Sequence, residues 1–177
     1  EQTIKNKGTI NTKFSILMFN YLESYNISTH FLAEAGKDAI LVRRLQMLPL
    51  TITVHNRANS SNAKQLGLKK GDILNTPHIE FYTKEASGKK SLKKRQDILE
   101  NGLVPEENLR HIDRLIIKTN VVLKSFFQRR GFQLAQINLE FGRFKNRIML
   151  GGEISLDTCR LVEEETGQMF DYQSFGN

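Results

Sequence analysis

FQLAQINLEFGRFKNRIMLGGEISLDTCRLV, residues 132–162, contains the most informative pattern of apolar and polar residues in this chain. Apolar and polar side chains alternate along its first part, which predicts a strand with one buried face. The apolar positions are Ala135, Ile137, Leu139 and Phe141, and the polar positions between them are Gln136, Asn138 and Glu140. Residues 142–146 predict a turn, and residues 147–154 predict the returning strand of a hairpin. We therefore expect Ile137, Leu139 and Ile148 to face the core.

The polar face of this hairpin is the first candidate site. Gln136, Asn138 and Glu140 share that face, and Glu153 on the returning strand is expected beside them. Carboxylates that meet at strand ends next to a glycine pair suit a metal ion or a phosphate group. A surface hairpin with a polar outer face explains the same alternation, so periodicity leaves both interpretations open.

Longer segments of the chain resemble one enzyme family. LEFG at residues 139–142 and GGEISLDTCRLVEEETG at residues 151–167 resemble the end of SAICAR synthetases, the purine-pathway ligases. The resemblance continues in order through KGTINTKFSILMFNYLESYNISTHF from Lys7, LPLTITVHNRANSS from Leu48 and IEFYTKEASG from Ile79. It implies an α+β fold in which helices pack on an antiparallel sheet. It also implies one SAICAR-synthetase-like domain, with residues 1–55 as the remnant of an incomplete N-terminal lobe and residues 56–177 as the main lobe.

Composition indicates a globular protein with a single domain. The 177 residues are 39% hydrophobic and 25% charged, which is ordinary for a globular chain. Apolar runs are too short for a transmembrane helix, and no secretion signal is visible, so we expect an intracellular protein of the cytoplasm or an organelle matrix. Cys159 is the only cysteine, which excludes an intrachain disulfide and leaves no disulfide-linked partner to expect.

The charge balance favours an anionic partner. The net charge is +7 and the isoelectric point is near 9.6. A basic run is the candidate polyanion-binding segment and contains Lys84, Lys89, Lys90, Lys93, Lys94 and Arg95. No aromatic residue interrupts the lysines, so phosphate contact is the sharper interpretation and a solvated loop the alternative. The expected partner is RNA or a large protein assembly.

Hydrophobic spacing predicts the remaining elements. The polar residues 1–12 predict an entry segment or an edge strand. Residues 11–24 predict an amphipathic helix, and the apolar positions of this helix are Phe14, Leu17, Met18, Tyr21 and Leu22. Strands are expected at residues 39–44, 48–54 and 79–82, a short helix before Gly67, and a helix over residues 91–101. The longest helix begins near Pro105 and ends at Gly131, with a stripe of Leu109, Ile112, Ile116, Leu123, Phe126 and Phe127.

The resemblance also implies a ribotide pocket, of which only part is present. The family arginine of VVRN falls on His55, the family lysine of DFK falls on Asn138, and the closing arginines fall on residues 174–176. Ser61 and Arg160 keep the family identity, so the substrate-binding remnants are Ser61, Arg160 and His55. A histidine is a weak substitute for arginine at neutral pH, because its ordinary pKa is about 6.5.

The acidic positions implied by the resemblance are also reduced. Family aspartates fall on Gln136 and Gly152, and the loop aspartates fall on Ala86 and Lys90. The carboxylates that remain as catalytic remnants are Glu140, Glu153 and Asp157. Metal binding and aspartate recognition both depend on such charges, so we expect no metal site. His30 is expected to be a hydrogen-bonded structural histidine.

These replacements lead to two hypotheses for function. The first is a domain with a degenerate active site that serves as a non-catalytic structural or binding component of a larger, RNA-containing assembly. It requires no cofactor. The alternative is a divergent active SAICAR synthetase that uses ATP and Mg²⁺ to join aspartate to a carboxylated aminoimidazole ribotide. On sequence alone, the number of replaced charges favours the first hypothesis.

Overall fold

A computed structural model describes residues 6–84 and 89–170 of the chain, with the Lys84 side chain left out. Helices and antiparallel strands are mixed along the sequence, which confirms the α+β class. The helices are α1 (Lys7–Ser24), α2 (Ala63–Leu66), α3 (Arg95–Glu100) and α4 (Glu106–Gln128). The strands are β1 (Phe31–Gly36), β2 (Ala39–Val42), β3 (Gln46–Arg57), β4 (Ile73–Lys84), β5 (Lys90–Lys93), β6 (Phe132–Phe144), β7 (Arg147–Gly151), β8 (Cys159–Glu163) and β9 (Met169–Phe170).

One antiparallel sheet organises the molecule, in the order β5-β4-β3-β6-β8-β9, with β7 paired to the far part of β6. β3 lies at its centre and pairs with both β4 and β6. Thr53 is paired with Glu80 on one side and with Asn138 on the other. Because directly paired residues point to the same side of a sheet, the polar positions of three strands form rows on one face.

The other face of the sheet is covered by helices. Ile52 and Val54 of β3 and Ile137 and Leu139 of β6 are fully buried there. All members of the stripe predicted for α4 are buried in the same core, so that prediction is confirmed. Burial of this apolar surface is the main force that holds α1 and α4 on the sheet. In the part of the chain that the structure describes, no helix is long and apolar enough to span a membrane.

The hairpin of residues 132–154 differs from its prediction at the turn. β6 continues through Gly142 to Phe144, so the turn contains only Lys145 and Asn146. Lys145 has a positive φ of 53°, a backbone conformation that the tight turn requires. A Cβ at Gly142 would lie 2.7 Å from the Cβ of Leu45, so this glycine permits a close approach of chains and does not mark a turn.

Two further positions of the predicted core are wrong. The pairing of β6 with β8 shifts between Leu134 and Gln136, a β-bulge that lets Leu134 take the buried position and leaves Ala135 only half-buried. In α1, Leu17 is 53% exposed and Phe19 is fully buried. Periodicity could not find either exception, because a bulge resets the alternation and the α1 sequence is apolar on more than one side.

Two element boundaries also need correction. The predicted helix over residues 91–101 begins with strand β5 and turns helical at Arg95, because the Asp97 carboxylate accepts the Lys94 backbone N–H at 2.9 Å and caps α3 there. Residues 7–10, predicted as part of an entry segment or edge strand, belong to α1, which begins four residues before the predicted helix. The division of the domain at residue 55 stays a prediction; that position falls within β3.

Candidate functional site

The candidate site is an open cleft on the polar face, where β4, β3, β6 and β8 run side by side. It has a volume of about 420 Å³. Its lining combines strand residues with the loop that precedes α2 and with β5: Thr53, His55, Asn59, Ser60, Ser61, Glu80, Tyr82, Lys90, Gln136, Asn138 and Arg160. The three predicted substrate-binding residues, Ser61, Arg160 and His55, therefore lie in the same cleft.

The cleft floor is neutral at two positions where the resemblance implies charges. Asn138 accepts a hydrogen bond from the Thr53 hydroxyl at 2.9 Å, between its Oδ1 and the Thr53 Oγ1. Gln136 lies next to it on the same face and is paired with His55 and with Arg160. Thr53 of the neighbouring strand β3 holds the Asn138 amide in place. The amide therefore offers the cleft hydrogen-bonding groups but no charge.

Asn59 fixes the orientation and proton position of His55. The Asn59 side-chain oxygen accepts hydrogen bonds from Ser61 N, Ser61 Oγ and Asn62 N, at 2.8, 2.7 and 2.8 Å. The Asn59 amide nitrogen must then face His55 Nδ1, which is 3.2 Å away. Because an amide nitrogen only donates, Nδ1 accepts, and the proton of the neutral ring sits on Nε2. His55 Nε2 donates that proton to Glu80 Oε2 at 2.8 Å, so it points at a carboxylate.

Glu80 is an ionised group at the centre of the cleft. Burial raises the pKa of its carboxyl, but the hydrogen bonds that it accepts from Tyr82 and His55 are the largest opposing effects, and the pKa lies below its ordinary value. The Tyr82 hydroxyl donates to Glu80 Oε2 at 2.8 Å, and His78 Nε2 lies 3.4 Å from Oε1. Burial and the Glu80 carboxylate raise the pKa of Tyr82 to about 12. At neutral pH the pair is a carboxylate beside a protonated phenol.

Sequence reasoning missed Glu80, Tyr82 and His78, although one signal for them was present. In β4, His78, Glu80 and Tyr82 occupy alternate positions, so they share a face. That face could be identified as the cleft only through the pairing of β4 with β3, which joins residues about 25 positions apart. This strand pairing is a tertiary feature, and no local sequence pattern predicts it.

Cationic side chains lie at the rim of the cleft. Arg160 and Lys90 are exposed at opposite sides of the floor. A second concavity of about 310 Å³ continues the cleft past His55, Asn59, Gln136 and Arg160, and Arg57 and Lys70 line it. The Arg57 Nε donates to the Gly71 backbone oxygen at 2.7 Å, which positions that guanidinium. The rim can therefore attract an anion such as a phosphate group or carboxylate.

The three remnant carboxylates do not converge. The Asp157 carboxylate lies 2.8 Å from Lys7 Nζ and 2.9 Å from Asn11 Nδ2, and Glu153 is exposed in the loop after β7. Glu140 accepts a hydrogen bond from Thr51 at 3.2 Å, with its other oxygen toward Gly152. Within residues 6–84 and 89–170, no three His, Cys, Asp or Glu side chains are grouped to hold a metal ion. Mg²⁺ that binds with a nucleotide takes only one or two protein carboxylates beside the substrate phosphates, so no step is assigned to a metal held by the protein alone.

Gly152 is coupled to the position of Glu140. Gly152 has a φ of 68°, and a Cβ at this position would lie 2.9 Å from Glu140 Oε2. An aspartate here, as the resemblance implies for the family, would have an unfavourable backbone conformation, and the flexible end of the Glu140 side chain would have to shift. Gly152 therefore permits the present position of the Glu140 carboxylate.

The basic run does not form one surface among the described residues. Lys90 lines the cleft, Lys93 is half-buried in β5, and Arg95 lies 2.7 Å from Asp113 on α4. The hydrogen bond to Asp113 raises the pKa of Arg95. The Lys84 side chain and Ala86, together with residues 174–176, lie outside the described part. Lys89 and Lys94 are exposed, and polyanion binding by this run stays a prediction.

His30 and Cys159 have structural environments. The His30 ring packs edge-on against Phe19 at 5.3 Å, and burial lowers its pKa, so it stays neutral at neutral pH. Burial raises the pKa of the Cys159 thiol to about 12, so it is protonated and not a ready nucleophile.

Comparisons with known proteins agree with the fold and with the resemblance. A model of the SAICAR synthetase family matches residues 1–177. The chain is 35% identical over 173 residues to the phosphoribosylaminoimidazole-succinocarboxamide synthase of Chlorobium limicola, covering 98% of this chain and 73% of that protein. It is 36% identical over 172 residues to the enzyme of that name from Thermococcus sibiricus, covering 97% and 73%.

Solved structures give the same result. The SAICAR synthetase of Pyrococcus horikoshii superposes with a TM-score of 0.91 at 32% identity, covering 98% of this chain and 76% of that one. A SAICAR synthetase in complex with ADP also superposes with a TM-score of 0.91 at 32% identity, covering 98% and 75%. The chain thus spans about three quarters of the length of these relatives.

Proposed function

This chain belongs to the SAICAR synthetase family, and we propose that it acts as one: an ATP-dependent carbon–nitrogen ligase of purine biosynthesis. In that reaction aspartate is joined to the carboxylate of a carboxylated aminoimidazole ribotide. Sequence alone favoured a non-catalytic domain. The relatives' shared name and the near-complete coverage of this chain support the active alternative more strongly.

One observation carries this proposal. Ser61 and Arg160, which keep the identities that the resemblance assigns to ribotide binding, come from distant parts of the chain and line the same cleft. Ser61 is held at the turn before α2 by Asn59, so its hydroxyl and backbone have a fixed position. Arg160 lies across the floor beside Gln136. In this arrangement both Ser61 donors are used by Asn59, so Arg160 is the donor presented to a phosphorylated ligand, and Ser61 contributes once its hydroxyl turns from Asn59 to that ligand.

The other cleft residues have complementary roles in this proposal. Arg57, Lys70 and Lys90 add positive charge at the rim, which offsets the charge of anionic substrates. Glu80 is an ionised acceptor and suits an amino or hydroxyl group of the bound ligand. The neutral amides of Gln136 and Asn138 orient the ligand by hydrogen bonds.

A second candidate function is favoured by one feature of the cleft floor. Gln136 and Asn138 are uncharged where the resemblance implies charged residues, and the His55 ring donates to Glu80. A domain of this kind would bind a phosphorylated ligand without catalysing ligation.

Calorimetric titration of the complete protein with the carboxylated ribotide tests the site assignment shared by both candidates. We expect Arg160→Gln to weaken ribotide binding by about tenfold or more, since a charge-assisted hydrogen bond contributes about 1.5–3 kcal/mol. Lys64→Gln, an equal loss of charge on α2 outside the cleft lining, serves as the matched control and should leave the affinity unchanged.

Equal ribotide affinity in the Arg160→Gln variant and the unmodified protein would show that the cleft is not the ribotide site. Turnover with aspartate, ATP and the carboxylated ribotide separates the ligase from the binding domain.

A further inference from the structure

A second cationic surface lies at the far end of the β6–β7 hairpin, away from the cleft. Its residues are Arg43, Arg114, Lys145 and Arg147, and we call it the hairpin-end surface. Lys145 follows Asn138 of the cleft floor by seven positions, which corresponds to about 23 Å along a strand. A ligand bound in the cleft therefore does not account for this group of charges.

Packing brings these cations together from three parts of the chain. The Arg43 guanidinium lies over the Phe144 ring at 4.9 Å, and the Lys145 ammonium lies 5.7 Å from the centre of the same ring. Arg147 is paired with Phe144 across the hairpin. Arg147 and Arg114 of α4 then line one groove, with a volume of about 460 Å³. Cations from the β2–β3 loop, the β6–β7 hairpin and α4 are thus connected through Phe144 and Arg147.

The charges of the hairpin-end surface are not neutralised by the protein. Among the described residues, no carboxylate oxygen lies within 4.0 Å of any of its cations. Glu107 is the single acidic residue in the groove lining, which otherwise consists of Ser28, Asn108, His111, Arg114, Asn146, Arg147 and Ile148. Clustered like charges repel each other, so an anion that binds here relieves that repulsion and releases its own counterions.

We propose that the hairpin-end surface binds the phosphate backbone of a nucleic acid strand. Its donors are those that contact backbone phosphates in nucleic-acid complexes: guanidinium and ammonium groups, side-chain amides and a hydroxyl. Within the described chain no Phe, Tyr or Trp lines the groove and His111 is the one ring there, so the contact is chiefly with phosphates and not with a series of stacked bases. Binding is therefore independent of base sequence. This inference does not rest on the ligase proposal.

Fluorescence anisotropy of a labelled oligouridylate with the complete protein tests this inference. Three phosphate contacts from Arg114, Lys145 and Arg147 predict a slope of about −2 for log affinity against log salt, since each contributes about −0.7 on a single strand. The affinity should fall about 18-fold between 50 and 200 mM salt. The triple variant Arg114→Gln, Lys145→Gln, Arg147→Gln should bind at least tenfold more weakly at 50 mM salt, with a nearly flat slope.

Two other triple variants separate this surface from general charge. Lys37→Gln, Lys64→Gln, Lys69→Gln removes the same charge from exposed positions elsewhere and should keep both affinity and slope. Lys90→Gln, Lys93→Gln, Lys94→Gln tests the basic run as the competing surface. If all three triple variants weaken binding equally, the effect is one of general charge and the inference is overturned. Loss of binding with the basic-run variant alone would also overturn it. If thermal unfolding shows that the hairpin-end triple variant is not folded, Arg114→Glu, a single charge reversal at an exposed position, is used in its place.

The identity of the anion is tested with the same protein. Duplex DNA should compete with the oligouridylate, because its phosphate backbone carries the same charges. Polyglutamate of equal charge should compete at least tenfold less well. Equal competition by polyglutamate would point to an acidic protein partner and would contradict binding of a nucleic acid.

Discussion

Asn59 illustrates how one side chain can decide the chemistry of a neighbour. Its oxygen is occupied by Ser61 and Asn62, so its nitrogen is directed to His55, and the imidazole becomes a donor to Glu80. The sequence places His55 where the resemblance implies an arginine, which suggests a weak cation. Only the hydrogen-bond network shows that the ring has another task. Residue identity at a site could be predicted here, but proton position could not.

His30 provides a prediction at the residue scale. Its pKa in the folded protein is lowered by burial, so near and below pH 6.5 the unfolded chain binds a proton more readily than the folded one. Stability should be unaffected by His30 above that pH and should fall as the pH decreases from about 6.5 toward the folded pKa, by at most about 1.4 kcal/mol per pH unit. Urea unfolding of the unmodified protein at pH 7.5 and 5.5 measures this loss.

The variant His30→Gln isolates the contribution of that residue. It cannot gain a proton in this range, so the decrease in stability from pH 7.5 to 5.5 should be smaller than in the unmodified protein. His111→Gln, which replaces an exposed histidine, should keep the original decrease. An identical pH dependence in all three proteins would mean that His30 titrates normally in the folded state.

At the scale of elements, hydrophobic patterning predicted the buried residues correctly where a helix or strand packs with one face against the core. The stripe of α4 and the burial of Ile137, Leu139 and Ile148 followed from spacing alone and are confirmed. Patterning failed at the bulge near Ala135, at Gly142 and at β5. These three cases have causes outside the local sequence: the pairing with β8, the close approach of Leu45, and the pairing with β4.

β6 supplies the prediction at this scale. Leu139 is 1% exposed at the centre of the sheet, so Leu139→Ala should lower the free energy of unfolding by about 2–5 kcal/mol. The adjacent Glu140 is exposed and accepts one hydrogen bond from Thr51, so Glu140→Gln should lower it by at most about 1.5 kcal/mol. Denaturant unfolding of both variants measures the difference. Similar small losses would place Leu139 outside the core.

On the scale of the whole molecule, β3 connects the core to the cleft. Ile52 and Val54 anchor one side of the strand under the helices, while Thr53 and His55 present the other side to the cleft. A rigid sheet can therefore hold groups from β4, β6 and β8 in fixed relation. The resemblance predicted Ser61, Arg160 and His55 in the site because they align with motifs. It missed Glu80 and Tyr82, whose place depends on strand pairing.

The central claim is that this chain is a working ligase, and turnover by the complete protein tests it most directly. The protein is incubated with aspartate, ATP, Mg²⁺ and the carboxylated ribotide, and the succinocarboxamide product is measured by mass spectrometry. We predict product that requires all three substrates and decreases with Arg160→Gln at limiting ribotide. Ribotide binding without product above that of a protein-free blank would contradict the claim and would identify a domain that keeps the cleft of its family but not the reaction.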